Sequence, residues 1–233
     1  MLGGWLTETL ERSERTKEGR VRVLLVDDHD LFRTGLRNLL DEQGGVEVVG
    51  EAGDGSQALW LVRELAPDVV VMDLNMPGMT GVEATRQVTS IAPLTRVLVL
   101  TISDQDADVL DAILAGACGY LMKDASIDEL MAGIRAASIG ESLISSHIAG
   151  KVLQRVRATS AQPEIAETIR TELSEREIQV LKLIANGKDN AVIAAELHIS
   201  PKTVKNHISN ILMKLQIENR IQAAVYAVRS GIV

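Results

Sequence analysis

The stretch Val21-Arg22-Val23-Leu24-Leu25-Val26-Asp27-Asp28-His29 decides the fold of the first half of the chain. Its apolar run ends abruptly in two acidic residues. A short apolar run of this kind is typical of a strand that is buried on both faces of a sheet. Similar runs predict four more strands, at residues 46–51, 68–72, 96–101 and 119–122.

Apolar positions spaced three and four residues apart predict a helix after each strand. These helices span about residues 31–40, 56–65, 80–92, 106–115 and 126–138. Ser126 and Glu129 form a capping-box pattern at the start of the last helix. Five apolar strands alternating with helices imply a parallel sheet covered on both faces, with right-handed crossovers. We therefore predict an α/β doubly wound, flavodoxin-like domain with five parallel strands in the order 2-1-3-4-5.

The C-terminal part of the chain has a helical pattern throughout. Four helices are predicted, at residues 175–185, 190–197, 200–215 and 219–229, and Ser200-Pro201 is a typical start signal for the third. This part should form an all-α four-helix domain. The predicted organisation is a leader at residues 1–19, the α/β domain at 20–140, a linker with a helix near 148–156 at 141–169, and the all-α domain at 170–233.

Composition excludes several classes of protein. The chain has 233 residues, of which 46% are hydrophobic and 24% charged, as is ordinary for a globular protein. No apolar run approaches the ~20 residues of a membrane helix, and residues 1–19 lack the features of a signal peptide. The only cysteine, Cys118, cannot form an internal disulfide. We expect it to be a packed thiol in a reducing compartment, the cytoplasm.

The net charge of −8 is distributed unevenly. Residues 170–233 contain 9 Lys and Arg against 6 Asp and Glu, whereas the rest of the chain contains 15 against 26. An acidic front and a mildly basic tail indicate two units with different partners. The local excess of positive charge leaves nucleic acid open as a partner of the tail.

Polar and charged residues occupy the carboxyl ends of four predicted strands: Asp27, Asp28, Asp73, Thr101 and Lys123. In an open α/β sheet, ligands bind in the crevice beyond these ends. Clustered carboxylates repel one another unless a cation is present, and hard oxygen ligands suit Mg²⁺. A metal ion and a lysine would form a landing site for a phosphoryl group, which a carboxylate can attack to form an acyl phosphate. A single acidic residue at a strand end is usually just solvated, but five residues at four strand ends favour a site.

These residues lie in motifs that resemble the receiver domain of two-component response regulators. The motifs are Val26-Asp27-Asp28-His29, Met72-Asp73-Leu74-Asn75-Met76-Pro77-Gly78, Leu100-Thr101 and Gly119-Tyr120-Leu121-Met122-Lys123-Asp124. They keep the order and spacing of the family, and the resemblance covers about residues 20–140.

The resemblance implies a role for each residue of the pocket. Asp73 would accept the phosphoryl group. Asp28 and Asp73 would bind Mg²⁺ through their side chains, and Asp27 would help through water. The backbone carbonyl of Asn75 would complete the protein ligands, and Lys123 would pair with the phosphoryl oxygens.

Two further positions would transmit the change. Thr101 would hydrogen-bond to a phosphoryl oxygen, and Tyr120, at the family's switch-aromatic position, would rotate inward as Thr101 moves. A half-buried core tyrosine is the alternative for Tyr120. Phosphorylation would bias the surface formed by residues 106–115 and 119–122 between two states. The family usually has a small residue after Thr101, and Ile102 at this place would restrict access to the phosphoacceptor.

The predicted helix at residues 200–215 has an apolar face and a polar face. Its core stripe consists of Val204, Ile208, Ile211, Leu212 and Leu215. The opposite face presents Lys202, Thr203, Asn206, Ser209, Asn210 and Met213, and Lys205 and His207 flank the stripe. Short polar and cationic side chains opposite a core stripe suit the major groove of DNA. The arrangement of residues around the helix is by itself equally consistent with a helix face that is simply exposed to solvent.

The motifs around this helix resemble the LuxR-type helix-turn-helix. They are residues 173–181, Ile193-Ala194-Ala195-Glu196-Leu197 and Ser200-Pro201-Lys202-Thr203-Val204-Lys205-Asn206-His207-Ile208, within a resemblance that covers about residues 170–233. It implies that residues 200–214 form the recognition helix and that residues 219–229 form the helix of dimerisation. The implied base contacts are Lys205, Asn206 and Ser209, and the implied DNA backbone contacts are Lys202, Thr203 and His207.

A receiver followed by such a tail is the layout of the NarL/FixJ class of response regulators. The resemblance implies a phosphorylation-dependent, DNA-binding transcriptional regulator whose Asp73 accepts a phosphoryl group from a sensor histidine kinase with Mg²⁺. It would form a homodimer when phosphorylated and bind double-stranded promoter DNA, with no membrane partner. It would not be an enzyme beyond self-phosphorylation and self-dephosphorylation.

Two other functions are considered. A constitutive DNA binder with a weakly used phosphorylation pocket is the first alternative, and Ile102 is the residue in its favour. A phosphotransferase or phosphatase that works through an aspartyl phosphate is the second. Against it, no substrate-binding cap domain is visible, and Asn75 stands where such an enzyme would have a second acid.

Overall fold

The computed structural model describes residues 19–102, 106–141, 172–217 and 219–233. Nearly all of the predicted leader, and the predicted helix near residues 148–156, lie outside these ranges. Among the described residues, no helix is both long enough and apolar enough to cross a membrane.

A five-stranded parallel sheet forms the centre of the first domain, and its order β2-β1-β3-β4-β5 confirms the prediction. The strands are β1 (Val21–Val26), β2 (Val46–Ala52), β3 (Val69–Met72), β4 (Arg96–Thr101) and β5 (Gly119–Met122). In the register of β1 and β3, Val26 lies opposite Met72. The residues that follow these two strands, Asp27 and Asp73, therefore emerge side by side at the same edge of the sheet.

Five helices cover the sheet: α1 (Asp30–Gln43), α2 (Gly55–Leu65), α3 (Gly81–Ile91), α4 (Asp106–Leu114) and α5 (Ile127–Ser138). Thr80, which was predicted as the first residue of its helix, is the N-cap of α3, and Ser126 is the N-cap of α5 as predicted. The Thr80 hydroxyl accepts from the backbone N–H of Glu83, and Ser126 and Glu129 form the predicted capping box. These side chains satisfy N–H groups that the first helical turn leaves without a partner.

Alternate residues of each strand pack on opposite faces of the sheet, as the two-residue period of a strand requires. On one face, Leu24 and Val26 pack with residues of α2 and α3. On the other face, Val23 and Leu25 pack with residues of α1 and α5. Cys118 is buried in the second cluster, which confirms a packed thiol, and this burial raises the pKa of the thiol to about 12.

The second domain consists of α6 (Glu175–Ala185), α7 (Asn190–Leu197), α8 (Pro201–Leu215) and α9 (Arg220–Arg229). Ser200 caps α8 by accepting a hydrogen bond from the backbone N–H of Thr203, and Pro201 takes the first position of the helix. His198 ends α7 in the left-handed conformation with a φ of 54°. It therefore forms the sharp turn between α7 and α8.

The two domains share one hydrophobic cluster. Val99 of β4, Val109 and Ile113 of α4, and Tyr120 of β5 belong to the same cluster as the core of the second domain. The second domain is thus docked on the α4–β5 side of the first.

Candidate functional site

The acidic residues that follow β1 and β3 converge as predicted. Ligand atoms of Asp27, Asp28, His29 and Asp73 all lie within 4.8 Å of one another. Asp27 is 5% exposed and Asp73 is 2% exposed, so two of the three carboxylates are buried. The parallel register of β1 and β3 is what brings them together.

Lys123 bridges two of these carboxylates. Its Nζ lies 2.7 Å from Oδ2 of Asp27 and 2.7 Å from Oδ2 of Asp73. It also lies 4.7 Å from the centroid of the Phe32 ring, which adds a cation–π contact. Burial lowers the pKa of Lys123, but the hydrogen bonds to Asp27 and Asp73 outweigh it and raise this pKa above the ordinary value. A permanent positive charge therefore lies next to Asp73.

The donor set fits a small, hard cation. The Oδ1 atom of Asp28 is buried and accepts no hydrogen bond from the described residues, although Nδ1 of His29 lies 2.8 Å away. Three carboxylates face one ammonium group, which leaves uncompensated negative charge. Carboxylate oxygens that retain an open side match the preference of Mg²⁺. His29 was not among the predicted ligands, and its imidazole suits transition metals better than Mg²⁺.

Asn75 and Thr101 connect the neighbouring loops. Nδ2 of Asn75 donates to Oγ1 of Thr101 at 3.3 Å, and the backbone N–H of Asn75 donates to Oδ1 of Asp73 at 3.3 Å. Thr101 is completely buried, whereas Ile102 beside it is 69% exposed. A change in charge on Asp73 thus has a direct path of hydrogen bonds to Thr101.

Tyr120 is completely buried, which differs from the half-buried tyrosine that was the alternative. It lies opposite Val99 in the β4–β5 register and belongs to the cluster that the two domains share. The ring is therefore buried where the two domains meet.

Gly81 was missed by the sequence analysis. A Cβ at this position would lie 1.9 Å from the carbonyl oxygen of Asp73 and 2.6 Å from Cα of Leu74. The backbone N–H of Gly81 donates to the carbonyl of Leu74 at 3.0 Å. Only glycine fits here, so Gly81 lets α3 approach the backbone of Asp73 closely. A glycine directly after the N-cap Thr80 is the feature of the sequence that could have indicated this close approach.

The predicted DNA-contacting residues lie on α8, and they differ in exposure. Lys202, Lys205, Asn206 and Ser209 are exposed, whereas Thr203 and His207 are half-buried. The hydroxyl of Thr203 lies 2.8 Å from that of Ser200, so it also belongs to the N-cap. Met213, further along the helix, is 70% exposed. The structure thus presents a largely polar face at the start of α8.

Lys205, one of the predicted base contacts, forms an ion pair with the residue that directly follows the first domain. Its Nζ lies 2.7 Å from Oε1 of Glu141, just beyond α5, and both side chains are about half exposed. A DNA contact by Lys205 would have to replace this ion pair.

Polar contacts join α9 to the connection between α4 and β5. Nδ2 of Asn219 donates to the carbonyls of Gly116 and Ala117, at 3.3 Å and 3.0 Å. Nε2 of Gln222 donates to the carbonyl of Ile113 at 3.0 Å. The helix that was assigned to dimerisation is therefore occupied by the first domain.

Comparisons with known proteins agree with this geometry. The family model of the response regulator receiver domain matches residues 23–135, and that of the luxR family of bacterial regulatory proteins matches residues 171–227. The transcriptional regulatory protein LiaR of Bacillus subtilis is 47% identical over 213 residues, which are 91% of this chain and 99% of LiaR.

Solved structures match the chain over most of its length. The response regulator ChrA of a heme-sensing two-component system is 38% identical with a TM-score of 0.51, over 92% of this chain and all of that one. A structure of two RcsB dimers bound to two parallel DNAs is 25% identical with a TM-score of 0.53, over 91% of this chain and 98% of that one.

Proposed function

We propose that this chain, which belongs to the two-component response regulators with a LuxR-type DNA-binding domain, regulates promoters through a phosphoryl group on Asp73. Its family is one of transcriptional regulators, with a kinase and DNA as partners. The observation that carries the proposal is the docking of α9 on the α4–β5 connection, the surface that phosphorylation of a receiver would alter. The proposed domains are the receiver at residues 20–140, the linker at 141–169 and the DNA-binding domain at 170–233.

The first step is transfer of a phosphoryl group to Asp73. A carboxylate oxygen of Asp73 attacks the phosphorus of a phosphohistidine on the sensor kinase. The P–N bond breaks, the histidine leaves with the electron pair, and an acyl phosphate forms. Asp28 and Asp73, the Asn75 carbonyl and, through water, Asp27 would hold Mg²⁺, which when bound would supply positive charge beside the transferred group. Lys123 would exchange its contact with the Asp73 carboxylate for one with the phosphoryl oxygens.

The second step is a change in the docking surface. A phosphoryl group brings new acceptor oxygens beside the hydrogen bond that joins Asn75 to Thr101. Thr101 would turn toward these oxygens, and Tyr120 would move with it. Because Tyr120 lies only a few residues beyond Gly116 and Ala117, its movement disturbs the two carbonyls that hold Asn219.

Release of the second domain frees two surfaces together. Lys205 leaves Glu141 and joins Asn206 and Ser209 in base contacts, while Lys202, Thr203 and His207 contact the DNA backbone. The freed α9 forms the contact of a homodimer on paired half-sites. The structure of RcsB dimers bound to DNA supports this arrangement. Catalysis would be limited to gain and loss of the chain's own phosphoryl group.

Intact mass measurement tests the first step. The full chain is incubated with Mg²⁺ and acetyl phosphate, beside Asp73→Ala and the control Asp41→Ala, whose half-exposed carboxylate lies on α1. We expect one phosphoryl adduct in the wild type and the control, and none in Asp73→Ala. An adduct that persists in Asp73→Ala would contradict the assignment of the phosphoacceptor.

DNA binding tests the second step. A DNA fragment selected from a random pool by the phosphorylated chain is titrated with each protein, with and without acetyl phosphate. We expect the phosphoryl donor to tighten binding for the wild type and for Asp41→Ala only. Equal affinity in both conditions for the wild type would instead favour the constitutive DNA binder.

A further inference from the structure

Arg33 of α1 binds to three parts of the structure around the acidic pocket. Its Nη1 donates to the backbone carbonyl of Asp27, its Nη2 to Oδ1 of Asp30, and its Nε to Oε2 of Glu51 at 3.2 Å. The side chain is only 14% exposed. The guanidinium thus joins the loop after β1, the first turn of α1 and the strand β2 through all three of its nitrogens.

The contact with Asp27 has a specific consequence for the pocket. The carbonyl that accepts from Arg33 belongs to the peptide group between Asp27 and Asp28. A fixed carbonyl direction fixes the rotation of that peptide plane. The plane joins the Cα atoms of Asp27 and Asp28, so the directions in which the two side chains leave the backbone are fixed as well. On the side-chain side, Oδ1 of Asp27 accepts from the backbone N–H of His29 at 2.9 Å, so the loop is held from both directions.

We propose that Arg33 is a positioning residue for the divalent cation: it holds the peptide between Asp27 and Asp28 so that their carboxylates face the site. This inference rests on the proposed function, in which that pocket binds Mg²⁺. Preorganised ligands bind a cation more tightly, because the chain loses less conformational freedom on binding.

The charge of Arg33, taken alone, predicts the opposite change in Mg²⁺ affinity when this residue is replaced. A guanidinium close to the pocket repels a cation, so removing its charge should strengthen Mg²⁺ binding if electrostatics were its only effect. Loss of positioning weakens Mg²⁺ binding instead. The direction of the change therefore separates the two effects, whatever its size.

Arg37, one helical turn further along α1, provides a matched control. Its Nη1 donates to Oε1 of the same Glu51 at 2.6 Å, and its Nε lies 3.8 Å from Oδ2 of Asp41. Within the described residues, Arg37 forms no hydrogen bond or ion pair with the loop after β1. Arg37→Gln removes the same charge and a bond to the same glutamate, but leaves the Asp27 carbonyl bound.

The experiment measures Mg²⁺ affinity of the full chain by isothermal titration calorimetry. The proteins are the wild type, Arg33→Gln, Arg33→Lys and Arg37→Gln, and their thermal unfolding midpoints are compared without metal. We expect Arg33→Gln to weaken Mg²⁺ binding about tenfold, the equivalent of one lost hydrogen bond to a charged group. Arg33→Lys keeps the charge but lacks the three-pronged fork, so it should not restore affinity. Arg37→Gln should stay within about twofold of the wild type.

Other outcomes of this experiment would contradict either the positioning role of Arg33 or the metal site itself. Unchanged or tighter Mg²⁺ binding by Arg33→Gln, or full restoration by Arg33→Lys, overturns the positioning role. Equal weakening in Arg33→Gln and Arg37→Gln that follows the loss of thermal stability reduces Arg33 to a structural residue. If the wild type itself binds no Mg²⁺, the metal site of the proposed function fails, and this inference fails with it.

Discussion

Asn219→Asp should release the DNA-binding domain from the receiver without a phosphoryl group. Asn219 is 4% exposed and has two roles. Its Oδ1 accepts from the backbone N–H groups of Ile221 and Gln222, which caps α9, and its Nδ2 donates to the carbonyls of Gly116 and Ala117. Aspartate is an equally good N-cap, and its charge suits a helix N-terminus. It has no N–H to donate, so it loses only the interdomain bonds.

The expected magnitude follows from those two bonds. The N···O distances are 3.3 Å and 3.0 Å. Each hydrogen bond contributes about 0.5–1.5 kcal/mol net, and leaving a buried polar group unsatisfied costs about 1–3 kcal/mol. Docking is then weakened by about 3 kcal/mol, which changes the ratio of docked to undocked chains about 150-fold.

Small-angle X-ray scattering and DNA titration of the unphosphorylated full chain test this prediction. We expect a larger radius of gyration for Asn219→Asp and tighter binding to DNA, because affinity rises with the fraction of competent molecules. Asn190→Asp is the matched control: it adds the same charge to the same domain, and its side chain contacts Arg220 rather than the receiver. If Asn219→Asp keeps both the radius and the DNA affinity of the wild type while α9 stays folded, docking through Asn219 does not restrain the DNA-binding domain.

Three further variants test the remaining contacts. Gly81→Ala should lower stability by several kcal/mol, since its Cβ would lie 1.9 Å from a backbone oxygen; a thermal unfolding midpoint equal to that of the wild type would contradict this. Burial raises the pKa of Glu177, but hydrogen bonds from Lys214 and from Ser174, the N-cap of α6, outweigh it and hold this pKa below its ordinary value. The contribution of the Glu177 carboxylate to the free energy of unfolding is fully present above its pKa in the unfolded chain. It is lost as pH falls through its lower pKa in the folded chain. The stability difference between wild type and Glu177→Gln in urea should therefore shrink as pH falls below about 4.5. Glu141→Gln should strengthen DNA binding of the unphosphorylated chain about two- to fivefold, because it frees Lys205 from a half-exposed ion pair that contributes little energy. An unchanged affinity would show that this ion pair does not compete with DNA.

Local patterns were sufficient for the sheet and for the acidic pocket. The apolar run before Asp27 predicts a buried strand, and parallel pairing then requires Asp27 and Asp73 to meet at one edge. Ser126 and Ser200 likewise predict helix starts, because a cap depends only on the next few residues. These predictions succeed because each rests on interactions close in sequence or imposed by the regular geometry of a sheet.

The contacts that join the domains could not be predicted in this way. Asn219 binds the carbonyl of Ala117, 102 residues earlier in the chain. A backbone carbonyl carries no side-chain signal, and Asn219 has a sufficient local explanation as the N-cap of α9. Arg33 was missed for a similar reason, because its most informative partner is the carbonyl of Asp27.

The polar docking contacts are individually weak, which suits a switch. Among the residues that the structure describes, the polar contacts of the second domain with the receiver and with Glu141 directly after it include the three hydrogen bonds that Asn219 and Gln222 donate and the half-exposed ion pair of Lys205. At about 0.5–1.5 kcal/mol for each hydrogen bond and about 0–1 kcal/mol for the ion pair, they contribute about 2–5 kcal/mol. Moving a two-state equilibrium from 1:99 to 99:1 takes about 5.5 kcal/mol. The hydrophobic cluster that the two domains share adds to this docking energy. Loss of the polar contacts alone therefore moves the equilibrium by about 2–5 kcal/mol toward the released state, which is the larger part of such a change.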